Sequence, residues 1–287
     1  GCGVGHISYI LNHYGYKNLT ASEIFDKEPV IRKVINTTFL FLLSLYAYTA
    51  AVDYIDHQRA QGVQPFFYQS YYEPAVLVAC GYEFGTLSSQ RPASLDQFLK
   101  LKISTFDCAD LPENPQISEP QFLRQWIYMM HAAAATWTVL GVDWTAIDKL
   151  AGAFVAVSVA ALYGIFQIFL PLPIAAIGVL AVIKAHHFVE FAPYFRDLSK
   201  APFILLSLLC MTLIAKQKAW RFPIYVLACA IGLIVGIGVG FRPDAMIALP
   251  LAAFVIFAFP DGWNPKLLTQ KLLCCALMAI IFWQVSW

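Results

Sequence analysis

Val34-Ile-Asn-Thr-Thr-Phe-Leu-Phe-Leu-Leu-Ser-Leu-Tyr-Ala-Tyr-Thr-Ala-Ala-Val52 carries no charge and runs straight into Asp53-Tyr-Ile-Asp56. A run of this length approaches the roughly 20 apolar residues that an α-helix needs to cross a bilayer. Carboxylates at its exit are costly to hold near lipid and are usually functional. Far downstream, Tyr194-Phe195-Arg196-Asp197 opens another apolar helix. If both sites meet on one face of a helical bundle, they point to chemistry at a lipid interface.

The rest of the chain agrees with a membrane setting. Its 287 residues are 59% hydrophobic and 13% charged, against about 25% charged in soluble domains. Further candidate spans are Ile147–Leu170, Ile174–Ile183, Ala201–Ala215, Pro223–Phe241, Ala245–Phe259 and Leu272–Trp287. With Val34–Val52 they predict an all-α polytopic membrane protein of about seven spans. The net charge of +1 leaves no basic footprint for nucleic acid. No cleavable signal peptide is visible. The chain opens on Gly1, which leads us to expect that an upstream segment is missing.

Charge sets the expected orientation, because Lys and Arg favour the cytoplasmic side. Lys27, Arg32 and Lys33 place the N-terminus inside, and residues 53–125 then form an extracytoplasmic loop. Lys216-Gln-Lys-Ala-Trp-Arg221, Lys266 and Lys271 fall inside only if Trp126–Val142 does not cross. That segment is short, rich in alanine and flanked by Arg124 and Asp143, as suits an interfacial or re-entrant helix. Asp53, Asp56, Glu73, Asp197, Arg242 and Asp244 then share the outer side. The expected location is a bacterial inner or plasma membrane, crossed several times.

The outer loop holds Phe66-Phe-Tyr-Gln-Ser-Tyr-Tyr-Glu73, which reads as an interfacial or sugar-stacking surface or as a plain aromatic belt. Ser94–Leu101 reads as a short helix, and Pro112, Pro115 and Pro120 mark an extended return. Cys80 and Cys108 lie in this loop, and outside the cell they can form a disulfide. Cys210, Cys229, Cys274 and Cys275 lie in apolar runs and read as small core residues. His186, His187 and Glu190 are a poor metal set, since adjacent histidines on a helix do not converge on one ion, and no metal site is predicted.

Two resemblances stand out. Gly1-Cys-Gly-Val-Gly5, with Glu23 after it, resembles the first glycine loop of class I methyltransferases that use S-adenosylmethionine. There the glycines admit the ligand and the acid binds ribose. The likeness ends near residue 26, before any complete sheet, so residues 1–30 are expected to be a cytoplasmic remnant without methyl transfer.

Residues 31–287 are similar to the GT-C superfamily of glycosyltransferases that use lipid-linked sugars, in its mannosyl- and aminoarabinose-transferase branches. The order of parts carries the likeness. A first helix leads to Asp53 and Asp56 and a long outer loop with juxtamembrane helices. An alanine-rich helix and a Pro-broken one follow. Next come Arg196-Asp197 running into Ala201-Pro-Phe-Ile-Leu-Leu, and later Gly240-Phe-Arg-Pro-Asp-Ala-Met-Ile-Ala-Leu-Pro250. Family members are commonly longer, so this chain is expected to be truncated. The resemblance implies a polyprenyl-phosphate sugar as donor and Asp53 or Asp56 as base. It gives Asp197 a role in orienting the acceptor or a divalent metal. Glu73, Arg196, Lys200 and Arg242 are expected to bind substrate, the cations meeting the lipid phosphate. Expected partners are membrane lipids, the lipid-linked sugar and other membrane subunits. The competing expectation is a non-catalytic membrane subunit of a larger assembly.

Overall fold

The computed structural model describes residues 29–62, 69–88, 91–118, 125–185, 188–259, 261–262 and 264–286. The glycine-rich start with Glu23, the aromatic residues 66–68, and His186 with His187 lie outside the described residues. The chain divides into two compact units, Gly1–Leu42 and Leu43–Trp287. The described part of the first is the opening of helix α1, Pro29–Ala60, where Val30, Val34 and Phe41 are exposed. All that follows concerns the second unit.

Five helices are long and apolar enough to cross a membrane: Val30–Ala60, Trp144–Phe169, Phe195–Ala215, Phe222–Phe241 and Pro265–Ser286. The chain is therefore an all-α, multi-pass integral membrane protein. Two runs expected to span form shorter apolar helices, Leu172–Lys184 and Pro243–Ala258. Only 22% of the apolar window in Pro265–Ser286 and 33% of that in Trp144–Phe169 is buried within the protein. In water such open apolar faces would be a liability, and in lipid they are the expected surface.

Proline sets several helix ends. The long helix Trp144–Phe169 stops at Leu170, whose backbone is extended (φ −119°, ψ 148°). Pro171 follows, and its ring disfavours helical geometry in the residue before it. Phe222–Phe241 ends likewise at Arg242 (φ −158°, ψ 126°) before Pro243. At the other end of Trp144–Phe169, Asp143 caps the helix by accepting the Thr145 N–H at 2.9 Å.

In chain order α2 is Glu73–Ala79, α3 Ala93–Leu99, α4 Ile127–Leu140, α5 Trp144–Phe169, α6 Leu172–Lys184 and α7 Phe195–Leu198. The remaining helices are α8 Ala201–Ala215, α9 Phe222–Phe241, α10 Ala248–Ala258 and α11 Leu268–Ser286. Strands β1, Thr86–Leu87, and β2, Ile117–Ser118, form an antiparallel pair.

Side-chain contacts give the helix directions. Phe154 of α5 meets Phe203 of α8, and Gly164 faces Leu209, so α5 and α8 run parallel. Phe241 meets both Phe154 and Phe203, so α9 runs back against them. Its Gly232 and Gly236 lie on Met278 and Phe282 of α11, and these two helices are parallel. The ends of α1, α9 and α11 and the starts of α5, α7 and α8 therefore gather at one end of the bundle. Lys216, Lys218, Arg221, Asp261 and Lys266 belong to the turns at the other end, where Asp261 accepts the Trp220 N–H.

A cap covers the first end. Phe98 stacks on Trp144 at 4.8 Å between ring centres, and Trp137 meets Trp144 edge-on at 5.4 Å. Their indole N–H groups donate to the Asp143 and Phe98 carbonyls. Cys80, at the end of α2, is bonded to Cys108, with Cα atoms 5.4 Å apart. Helix α4 closes the cap. The Tyr128 ring of α4 lies against Gly240, and its hydroxyl donates to the Val285 carbonyl. The last residue of α4 is joined through Gly141 to the start of α5, so both its ends sit at the cap end. Its 14 residues rise about 21 Å, short of the roughly 30 Å hydrocarbon core.

Two consequences can be measured by thermal unfolding in detergent. A Cβ at Gly232 would strike the Met278 backbone carbonyl, while one at Gly164 would meet only the Leu209 side-chain methyls at 3.1 Å. Gly232→Ala is expected to destabilise by about 1–3 kcal/mol, and Gly164→Ala by clearly less. Reducing the Cys80–Cys108 bridge opens a loop with sequence separation 28 and is expected to cost roughly 3–4 kcal/mol by chain entropy. The Cys80→Ser, Cys108→Ser pair should melt lower than wild type and be insensitive to reductant.

Candidate functional site

The expected site residues share the cap end of the bundle but fall into three groups. The first joins α1 to α5. Arg59 lies one turn beyond Asp56 and reaches its Oδ1 at 3.3 Å. Its other nitrogen pairs with Asp148 Oδ2 at 2.5 Å. The Asp148 side chain is 1% exposed, against 59% for Asp56. Within the described residues its second oxygen has no hydrogen-bond partner. Gly152, one turn further along α5, makes room for α1: a Cβ there would meet Val52 at 2.9 Å and the Tyr48 ring at 3.0 Å. Asp53 is exposed on the same final turns of α1.

The second group joins α7, α8 and α9. Because Pro243 makes Arg242 extended, its side chain leaves the helix end. There the guanidinium forms an ion pair with Asp197, and its Nε donates to Asp244 Oδ2 at 2.8 Å. Lys200 donates to the same oxygen at 3.2 Å. Burial raises the Asp244 pKa, but the hydrogen bonds and charges of Lys200 and Arg242 outweigh it and hold the carboxyl below its usual range. Two cations and two carboxylates thus meet in a space open to one side. Arg196 takes no part in that cluster. Its guanidinium lies over the Trp126 ring at 4.5 Å, a cation–π contact that fastens α7 to the base of the cap.

The third group lies inside the cap. Glu73 is fully buried. Its Oε1 accepts the Leu87 N–H at 2.9 Å, and its Oε2 pairs with Arg91 at 2.6 Å. Beside it, Tyr72 is enclosed by Trp137 and Trp144, and burial pushes its phenol pKa above the usual value. The geometry makes Glu73 a clasp between α2 and β1.

Helix α5 stands between the first two groups. Its Gly152 faces α1, while its Phe154 packs on Phe195, Phe203 and Phe241. The structure gives no direct contact between Asp53 or Asp56 and Asp197, Arg196 or Arg242. Among the described residues no set of three or more His, Cys, Asp or Glu side chains could hold a metal ion.

Sequence reasoning passed over Arg59, Asp148 and Arg91 as site residues. Asp148 had a signal, being an acid inside the first turns of an apolar span. Arg59 and Arg91 had none, since each finds its buried partner only through the fold. The chain matches no model of a protein family, no curated protein and no solved structure.

Removing one member of a buried ion pair leaves an uncompensated charge. Arg59→Gln strands Asp148 and is expected to destabilise by roughly 2–4 kcal/mol, less than a fully buried pair because Arg59 is partly exposed. Arg59→Met combined with Asp148→Leu should recover most of that loss in a chemical or thermal melt.

Proposed function

We propose that this protein is a membrane glycosyltransferase of the GT-C type, or a relative of one, that moves a sugar from a polyprenyl phosphate to an acceptor hydroxyl. The observation that carries this reading is the gathering of Arg242, Lys200, Asp197 and Asp244 with Asp56 at one capped end of a membrane bundle. Transfer needs cations at the departing phosphate and a carboxylate to take the acceptor proton. The acceptor oxygen attacks the anomeric carbon, the bond from that carbon to the phosphate oxygen breaks, and its electron pair leaves with the phosphate. Asp56, or Asp53 beside it, accepts the hydroxyl proton, and the anomeric centre inverts. Asp197 orients the acceptor, and Arg242 and Lys200 hold the phosphate.

The cap end faces outward in this reading. Lys216, Lys218, Arg221 and Lys266 lie at the opposite end, as the positive-inside rule asks of a cytoplasmic face. The shorter helices α6 and α10, with their flanking turns, return the chain between the ends and complete seven passes. The disulfide also fits an outer cap.

A second reading, a non-catalytic subunit of a membrane complex, draws on the placement of α5 between Asp56 and Asp197 and on the engagement of both acids by arginines. Sugar transfer from decaprenyl- or undecaprenyl-phosphate sugars by protein in nanodiscs separates the two. The glycosyltransferase reading expects wild-type transfer, and loss of at least about 100-fold in Asp56→Asn and in Asp197→Asn with melting temperatures preserved. Full activity in both variants overturns the roles. A folded wild type inert toward every such donor favours the subunit.

A further inference from the structure

We propose that the Asp197 carboxylate and a lipid phosphate compete for the same edge of the Arg242 guanidinium, so that phosphate binding releases Asp197 to meet the acceptor. This rests on the reading of Arg242 and Lys200 as phosphate-binding residues. It adds an order of events, donor before acceptor, which that reading does not contain.

The geometry distinguishes the two carboxylates that hold Arg242. Asp244 lies two residues away, and one of its oxygens takes both Arg242 Nε at 2.8 Å and Lys200 Nζ at 3.2 Å. It gathers two cations from separate helices into one place. Asp197 comes from another element, α7, and the ion pair it makes is with Arg242 alone. Its side chain is 45% exposed, and an ion pair that open to solvent is weak.

A guanidinium offers a fixed fork of donors that matches a phosphate two oxygens at a time. With Nε committed to Asp244, the end of the fork facing Asp197 is where a phosphate can engage. Two cations and two carboxylates balance in this cluster. A phosphate that joined it without displacing a carboxylate would crowd like charges, so exchange is the arrangement electrostatics favours. The carboxylate with one cation leaves, and the one with two stays. Asp197 then has an oxygen with which to accept a hydrogen bond from a sugar-accepting hydroxyl.

Affinity for decaprenyl phosphate, measured on the full chain in nanodiscs, tests the exchange without requiring turnover. Asp197→Asn removes the competitor and is expected to tighten binding by about two- to fivefold, the range an exposed ion pair supports. Asp197→Ser, measured alongside, should do the same. Asp244→Asn loosens the cation pair and is expected to weaken binding, and Arg242→Gln to abolish it. Binding by both Asp197 variants that is equal to or weaker than wild type overturns the exchange. Equal tightening in Asp197→Asn and Asp244→Asn reduces the effect to net charge and overturns it too. So does a wild type that binds no decaprenyl phosphate. Inorganic phosphate displacing decaprenyl phosphate at matching concentration would overturn the lipid as the source. Wild-type protein that binds decaprenyl phosphate in this pattern yet transfers no sugar would sink the glycosyltransferase reading alone.

Discussion

Charge cannot rest in hydrocarbon, and the architecture follows from where each charge escapes it. In this chain the charged side chains collect at the two ends of a bundle whose middle is almost wholly apolar. At the cap end they are drawn into pairs that join elements far apart in sequence: Arg59 with Asp148, Arg242 with Asp197, Lys200 with Asp244. Each pair ties one helix terminus to another. Helix α1 depends on this strongly, since only the close approach at Gly152 and the Arg59–Asp148 pair bring its outer half firmly to α5.

Between the charged ends, glycine and aromatic side chains divide the work. Glycines of α9 let the backbone of α11 approach closely, as small residues do in membranes where apolar side chains gain little from leaving lipid. The phenylalanines at 154, 195, 203 and 241 fill the space under the second ion cluster. The cap is built as a soluble domain is. It has an aromatic centre, a two-stranded ladder, a disulfide and a buried acid with every oxygen engaged.

The same clusters bear on function. Asp56 shares its arginine with a deeper and closer carboxylate, so it is oriented without being fully neutralised. Arg242 is shared between a near carboxylate and a distant one. Such shared cations can change partners at small cost, which suits a site that takes in a charged ligand. A purely structural clasp looks different, and Glu73 with Arg91 supplies the contrast: buried, short and closed on all sides.

The sequence by itself determined the class of protein. Apolar run length, the scarcity of charge and the prolines at 171 and 243 fix spans and their ends, because they act within a few residues of where they stand. Positive charge on the turns separated one end from the other, and two cysteines in one polar loop were enough to expect their bond. The tertiary structure alone decided which charges meet. Asp56 and Asp197 were legible as acids at helix mouths, but that α5 stands between them depends on which faces of α5 receive α1 and α8. Glu73 read as an open binding residue because its neighbours in sequence are aromatic, and only the fold brings Arg91 and Leu87 around it. Ion pairs between distant segments leave no local trace, since each partner alone looks like any charge at the edge of a membrane.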